Sequence, residues 1–193
     1  MNSPNDLQNI PAVLYLKNGT IVNGNLVVNL NTSLTRPVSI QSQNNKKFKY
    51  TLNEINGFSI EGNYFNLNDI KNDFLESRER VFMKRLTPEN SRIVLYEHLF
   101  NTTNNINYTD KYAHRPLYYI HFVNDKENEV WPLHGKKFTP LFSSKMSLIL
   151  KDCQELSDKI QNKQEGYFFP EFTGDNRQLN VMMKIIEEYN KCQ

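Results

Sequence analysis

The chain has 193 residues, 38% of them hydrophobic, which is enough to bury the core of one domain or of two small ones without a metal ion. Its 23 basic and 21 acidic side chains nearly balance, and the net charge of +2 lacks the excess expected of a dedicated nucleic-acid-binding protein. No apolar run approaches the roughly 20 residues that cross a bilayer, so no transmembrane segment is predicted.

The amino-terminal residues are polar where a secretory signal would carry a basic and then an apolar segment. Residues 1–10 are predicted to be a disordered lead-in to the first strand, as is expected after removal of a signal peptide or lipoprotein anchor. We attribute the Asn-x-Ser/Thr sequences of the chain to compositional bias and turn chemistry rather than to glycosylation. They begin at Asn18, Asn31, Asn101 and Asn107.

Residues 11–75 alternate apolar and polar side chains in short runs, which is the pattern of antiparallel strands. Asn18-Gly19 is a preferred two-residue hairpin turn, and Gly24 in the return strand indicates a bulge or a bend. Sm-like and SH3-like small barrels open in this way, so a small antiparallel barrel-like unit is predicted. Its strands are expected at residues 12–16, 21–28, 38–41, 48–52 and 55–60.

Residues 78–193 are predicted to hold an antiparallel meander followed by two amphipathic helices, which can pack as one domain; the whole chain is therefore predicted to be α+β. Residues 101–115 are polar and lack a period, which indicates a mobile loop. The first helix has its apolar stripe at Met146, Ile149, Leu150, Cys153, Leu156 and Ile160. The second has its stripe at Leu179, Met182, Met183, Ile186 and Tyr189.

The only two cysteines lie in these helices, Cys153 on the apolar stripe of the first and Cys192 at the end of the second. An antiparallel helix pair could bring them together, and if the geometry permits a disulfide, closing a loop of this length would stabilise the fold by roughly 4 kcal/mol. The other interpretation is one buried and one terminal free thiol. Their spacing alone leaves both open.

Eight short motifs follow one another along nearly the whole chain. They are LYLKNGTIVNGNLV (14–27), PVSI (37–40), YTL (50–52), EINGF (54–58), VFMKRL (81–86), IVLYEH (93–98), LKDCQEL (150–156) and EEYNKC (187–192). In this order they resemble an uncharacterised family of exported proteins common in Bacteroidetes, whose members usually begin with a signal peptide.

The resemblance implies an exported protein, periplasmic or associated with the outer membrane, and it leaves a lipid anchor on the full-length form open. In such an oxidising compartment, a Cys153–Cys192 disulfide becomes the favoured interpretation. No activity is established for the family, so the resemblance implies none.

The four histidines, His98, His114, His121 and His134, lack the spacing of metal ligands. In strand alternation His98 shares a face with Tyr96, and His121 shares one with Tyr119, so neighbouring strands could form a polar site from these four residues. Half-buried histidines packed among aromatic rings are the favoured interpretation.

No catalytic, metal-binding or cofactor-binding residues are predicted. The chain has no Gly-x-Ser-x-Gly elbow, and Gly135-Lys136-Lys137 lacks the first glycine and the Ser or Thr of a phosphate-binding loop. Nucleic-acid binding through the N-terminal unit is a weaker alternative. It depends on a single basic and aromatic run, Lys-Lys-Phe-Lys at residues 46–49, and the second Sm signature is missing.

The connector between the two predicted helices is unusually aromatic. It contains Tyr167, Phe168, Phe169 and Phe172. These rings either pack over the core, which is favoured, or form a contact surface.

We therefore expect a non-enzymatic protein of the cell envelope that acts by binding a protein or a small ligand, with no cofactor. An enzyme of unrecognised type that uses the face of His98 and His121 is the main alternative. The sequence identifies neither the partner nor the oligomeric state.

Overall fold

The structure is a computed structural model that describes residues 6–29, 37–42, 44–71, 78–99, 116–124, 129–169 and 177–192. These residues form ten strands and three helices, and the strand pairings are antiparallel, so the predicted α+β class is confirmed. The described residues of Met1–Arg85 and Glu97–Pro116 form one compact unit, and those of Leu86–Tyr96 and Leu117–Gln193 form the other. The predicted loop at residues 101–115 lies outside the described residues.

The first unit contains seven strands with the hydrogen-bonded order β7-β6-β5-β1-β2-β3-β4. They are β1 (Asp6–Leu16), β2 (Ile21–Asn29), β3 (Val38–Gln41), β4 (Lys47–Tyr50), β5 (Ile55–Ile60), β6 (Asn63–Lys71) and β7 (Arg78–Arg85). Among the described strands β4 pairs only with β3, and the sheet does not close into a barrel. The barrel-like part of the prediction is therefore not confirmed.

The hairpin between β1 and β2 follows from its turn residues. Gly19 has a φ of +84°, which a glycine adopts at no steric cost, and the backbone N–H of Thr20 donates to Asn18 Oδ1 at 3.0 Å. β1 begins at Asp6, within the segment predicted as a disordered lead-in, because residues from Asp6 onward pair with β2. Residues 1–5 lie outside the described part of the chain.

One face of this sheet holds the core of the first unit. Leu14, Leu26, Ile40, Ile55 and Phe58 each have no exposed surface. Because side chains alternate along a strand, the residues between them lie on the opposite face. The rings of Phe58 and Phe82 pack with centroids 5.0 Å apart, so β7 adds to the same core.

The second unit combines three strands with three helices. They are β8 (Ile93–Leu99), β9 (Pro116–Phe122), β10 (Trp131–Pro132), α1 (Phe142–Ile149), α2 (Gln154–Gln161) and α3 (Arg177–Lys191). The residues of β8 after Tyr96 belong to the first unit. The core side chains of β8 and β9, among them Leu95 and Ile120, belong to the same buried cluster as Met146, Ile160 and Ile186 of the helices. No helix in these described ranges is long and apolar enough to cross a membrane.

The helix predicted across residues 146–160 is two helices, so the predicted helix pair is a set of three helices. α1 ends before Leu150, and α2 starts after Cys153. Leu150, Cys153 and Leu156 are all buried, so the apolar stripe continues across the break. Asp152 bonds to the side chains of Arg92, which directly precedes β8, and of Tyr189 in α3, and Cys153 bonds to Cys192. These contacts stabilise the non-helical backbone between α1 and α2.

Candidate binding surface

β4 is an exposed strand at the end of the described sheet of the first unit. Lys47, Phe48 and Lys49 are exposed, and Tyr50 is half-buried. β4 is the last strand of the sheet, and no described strand pairs with its outer edge. An edge of this kind presents N–H and C=O groups that can accept another strand.

The register of β3 and β4 identifies which backbone groups point outward. Ser42 N–H donates to the carbonyl of Lys46 at 2.9 Å, so these two residues form a hydrogen-bonded pair. Hydrogen-bonded and non-hydrogen-bonded pairs alternate along an antiparallel ladder. Phe48, opposite Ile40, and Tyr50, opposite Val38, therefore bond to β3. The N–H and C=O of Lys47 and Lys49 point away from β3, towards the open edge.

The two faces of β4 differ in chemistry. Phe48 lies opposite Ile40, which is fully buried, so Phe48 extends the core face of the sheet towards solvent, with 41% of its surface exposed. Lys47 and Lys49 lie opposite Gln41 and Ser39 on the other face. The strand thus presents an aromatic face, a face carrying two lysines, and between them a backbone edge with which no described strand pairs.

The predicted polar site falls on buried side chains. Tyr96 and Tyr119 retain 5% and 6% of their surface, and His98 retains 4%. His121 is half-buried, and its Nδ1 lies 3.1 Å from the carbonyl oxygen of Glu129. His98 belongs to the first unit, whereas Tyr96, Tyr119 and His121 belong to the second, so neither unit contains the whole set.

Burial governs the protonation of His98. Removal from water disfavours the charged imidazolium and lowers the pKa of His98 from 6.5 to about 4. The side chain is therefore neutral at pH 7. Together with its small exposed surface, this marks His98 as a packed side chain of β8.

His114 lies outside the described residues, and the exposed His134 packs edge-on against Tyr119 with ring centroids 6.0 Å apart. Within the described ranges, no group of three His, Cys, Asp or Glu side chains is placed to hold a metal ion.

The aromatic connector divides between core and surface. Tyr167 and Phe169 are buried, and the Phe169 ring packs on Phe142 of α1 with centroids 4.3 Å apart. The hydroxyl of Tyr167 donates to Glu188 of α3. Phe168 is 38% exposed, and Phe172 lies outside the described residues. Of the predicted contact surface, Phe168 is therefore the described residue that faces solvent.

The two cysteines are joined in the structure. The Cα atoms of Cys153 and Cys192 lie 5.9 Å apart, within the usual range for disulfides. Cys153 is 3% exposed and precedes α2, and Cys192 follows the end of α3. The bond connects the break between α1 and α2 to the end of the last helix.

Sequence reasoning noted the lysines and Phe48 of β4 only as a basic and aromatic run. Alternation within the segment predicts a strand, but it does not indicate whether that strand lies at an edge or inside a sheet. The position of β4 depends on strand order, which is a property of the whole unit.

Comparison of the chain with models of protein families, with curated proteins and with solved structures finds no match.

Proposed function

We propose that this chain is a non-enzymatic protein of an oxidising envelope compartment and that it acts by binding other proteins. The observation that carries the proposal is the open edge of β4, where backbone hydrogen-bonding groups and the exposed ring of Phe48 meet. Strand addition to such an edge is a common mode of peptide recognition, because the backbone supplies affinity and the alternating side chains supply specificity.

The predicted polar site is poorly placed for catalysis, because three of its four side chains are buried. A general acid or base must come within hydrogen-bond distance of its substrate. Tyr96, His98 and Tyr119 are each at least nine-tenths buried, and the lowered pKa of His98 results from that burial.

The cysteine pair supports the compartment. Disulfides persist in oxidising surroundings and are rare in the cytosol. The resemblance of the chain to exported Bacteroidetes proteins points to the same compartment, so we place the protein in the periplasm or in association with the outer membrane. The disulfide closes a loop with a sequence separation of 39 and stabilises the helices there.

Site-specific photo-crosslinking tests the proposal. A photoreactive amino acid at Phe48 should crosslink the protein in its native cells to defined partners, identified by mass spectrometry. The matched control is the same substitution at Ile21, the first residue of β2, which is 58% exposed and does not lie on β4. Equal crosslinking from both positions, or turnover of a hydrolase substrate panel that is lost in His121→Ala, would overturn the proposal.

A further inference from the structure

We propose that β4 binds an extended segment of another protein in which acidic residues alternate with apolar ones. The inference rests on the proposed protein-binding function and specifies the chemistry of the partner. It follows from three features of one strand, which are the direction of its free backbone groups, the charge on one face and the aromatic surface on the other.

The backbone sets the register of the added strand. Lys47 and Lys49 each direct one N–H and one C=O to the open edge, as the pairing of Ser42 with Lys46 requires. An incoming antiparallel strand would form its hydrogen-bonded pairs with these two residues. Directly opposite residues lie on the same face of a sheet, so the partner residues facing Lys47 and Lys49 share the face of the two lysines.

Charge selects the side chains on that face. Lys47 and Lys49 are exposed, and Lys46 lies next to them in the chain. Opposite charges across a strand pair are favourable and like charges are not, so Asp or Glu is favoured opposite each lysine. The same rule opposes pairing of β4 with β4 of a second copy, because lysines would then face lysines.

The other face selects apolar residues. Phe48 is 41% exposed, and Tyr50 packs at the border of the first unit's core. A partner residue between two acidic ones would lie beside these rings and cover apolar surface that β4 leaves in water. The result is a binding segment of alternating acidic and apolar residues.

Nucleic acid is the competing partner for three lysines and a phenylalanine. Nucleic acid would bind through the lysine side chains and the aromatic rings, and this mode of binding does not require the outward N–H groups of the strand. The orientation of the backbone favours a peptide, and the net charge of +2 gives no general attraction for polyanions.

The test is the binding of a fluorescein-labelled peptide of alternating Glu and Val, followed by fluorescence anisotropy. A peptide of the same composition with all Glu residues preceding all Val residues is the matched control. The alternating peptide should bind at least about tenfold more tightly, equivalent to about 1.4 kcal/mol. Equal affinity of the two peptides would overturn the proposal.

Two variants at Lys49 separate the backbone from the charge. Lys49→Ala removes the charge and keeps the N–H, and Lys49→Pro removes both. Because the N–H of Lys49 points away from β3, proline is compatible with this edge position. Urea unfolding should show that the two variants have similar stability, and Lys49→Pro should bind the peptide at least about fivefold more weakly than Lys49→Ala. Equal binding by two folded variants would contradict strand addition.

A charge swap keeps the proposal testable if Lys49→Pro fails to fold. The double variant Lys47→Glu/Lys49→Glu should lose the Glu-Val peptide and gain a peptide of alternating Lys and Val. Salt-dependent binding of single-stranded RNA that disappears in this variant, with no peptide binding by the parent chain, would assign the strand to nucleic acid instead.

Failure of this inference is distinguishable from failure of the proposed function. If Phe48 crosslinks specific proteins in cells but the Glu-Val peptide does not bind, the function stands and the peptide chemistry is wrong. If Phe48 crosslinks no protein more than Ile21 does, the function itself fails.

Discussion

The guanidinium carbon of Arg92 lies 3.7 Å from the ring centroid of Tyr189, which places the start of β8 against the end of α3. Arg92 Nη2 also donates to Asp152 Oδ2 at 2.5 Å, and Nη1 donates to the carbonyls of Tyr189 and Cys192 at 3.1 and 3.0 Å. One side chain thus binds two carbonyls at the end of α3, and the carbonyl of Tyr189 also accepts from the backbone N–H of Cys192 at 3.2 Å. Cation–π contact and ion pairing act together here.

Replacing Arg92 with Met should destabilise the second unit by roughly 1–2 kcal/mol, a value reduced for partial exposure of the ion pair. Met keeps most of the apolar packing but leaves Asp152 and the helix carbonyls without this donor. The stability of Arg92→Lys should lie between those of the parent chain and Arg92→Met, because the lysine ammonium keeps the positive charge but lacks the planar fork of donors. Urea unfolding measures both variants.

The control for Arg92→Met is Lys191→Met, which breaks the exposed ion pair with Glu187 at the end of the same helix. Both partners of that pair are 71% exposed, so solvent screens them and little stability should be lost. Similar losses in both variants would show that the Arg92 contacts are no stronger than an ordinary surface pair.

Arg92 should also control the ionisation of Asp152. Burial opposes ionisation of that carboxyl, but hydrogen bonds from Tyr189 and Arg92 outweigh burial and lower the pKa of Asp152 below 3.8. Because the folded pKa is lowered, this stabilisation is present above pH 3.8 and is lost as the pH falls through the folded value. NMR titration of the carboxyl should show a higher pKa of Asp152 in Arg92→Met. An unchanged pKa would contradict the assigned role.

The disulfide should account for a large share of the stability of the second unit. With a sequence separation of 39, chain entropy gives about 4 kcal/mol for closing the loop. Cys153→Ser/Cys192→Ser should therefore lower the free energy of unfolding by about 2–4 kcal/mol, and reductant should affect only the parent chain. Thiol labelling of protein purified without reductant gives an independent check. Two free thiols would remove the disulfide and with it the chemical argument for export.

The helix break at Asp152 shows what sequence periodicity can and cannot predict. Leu150, Cys153, Leu156 and Ile160 all face the core, so the predicted buried stripe is correct. The single predicted helix is nevertheless interrupted between α1 and α2, where Asp152 bonds to Tyr189 and Cys153 to Cys192. Both partners are distant in the chain, and no local pattern encodes such contacts.

In the first unit, the β1–β2 hairpin was predictable from local sequence, whereas the edge position of β4 was not. Asn18-Gly19 requires only local chemistry, so the turn, the return strand and the part of β1 next to the turn were predictable. The first residues of β1, from Asp6, were predicted as a disordered lead-in. The role of β4 depends on its place in the order of seven strands, so its lysines and Phe48 could be identified as a basic and aromatic run but not as an open edge.

Gly24 was recognised from the sequence as a special position in its strand, but the physical reason why a glycine is needed there was not predictable. Its position in a strand indicated a bulge or a bend, and the register shift of the β1–β2 ladder lies elsewhere, between Gln8 and Ile10. A Cβ at Gly24 would instead lie 2.3 Å from the carbonyl oxygen of Gln41 on β3. The glycine permits close approach of two backbones.

Gly24→Ala should therefore destabilise the first unit by roughly 1–3 kcal/mol, because two paired strands must move apart. Asn23→Ala is the control, since Asn23 is exposed on the same strand. Chemical denaturation should show a clear loss for Gly24→Ala and little change for Asn23→Ala. Equal stability of the two variants would show that β2 and β3 shift without cost.

His98 should make the protein sensitive to acid. Burial lowers its pKa from 6.5 to about 4, so the unfolded chain takes up a proton between these values while the folded chain does not. Stability is therefore complete above pH 6.5 and is lost as the pH falls towards about 4, by up to about 3 kcal/mol. Below the folded pKa both states are protonated, and His98 contributes no further loss.

His98→Gln separates this effect from the protonation of carboxylates, because glutamine fills a similar space and does not titrate. Urea unfolding near pH 7 and near pH 4 measures, for each protein, how much the free energy of unfolding falls on acidification. This fall should be larger for the parent chain than for His98→Gln. The difference between the two losses is the contribution of His98, whatever the substitution costs at neutral pH. If both proteins lose the same amount, His98 is accessible to protons in the folded state, and the polar face of β8 is open to solvent after all.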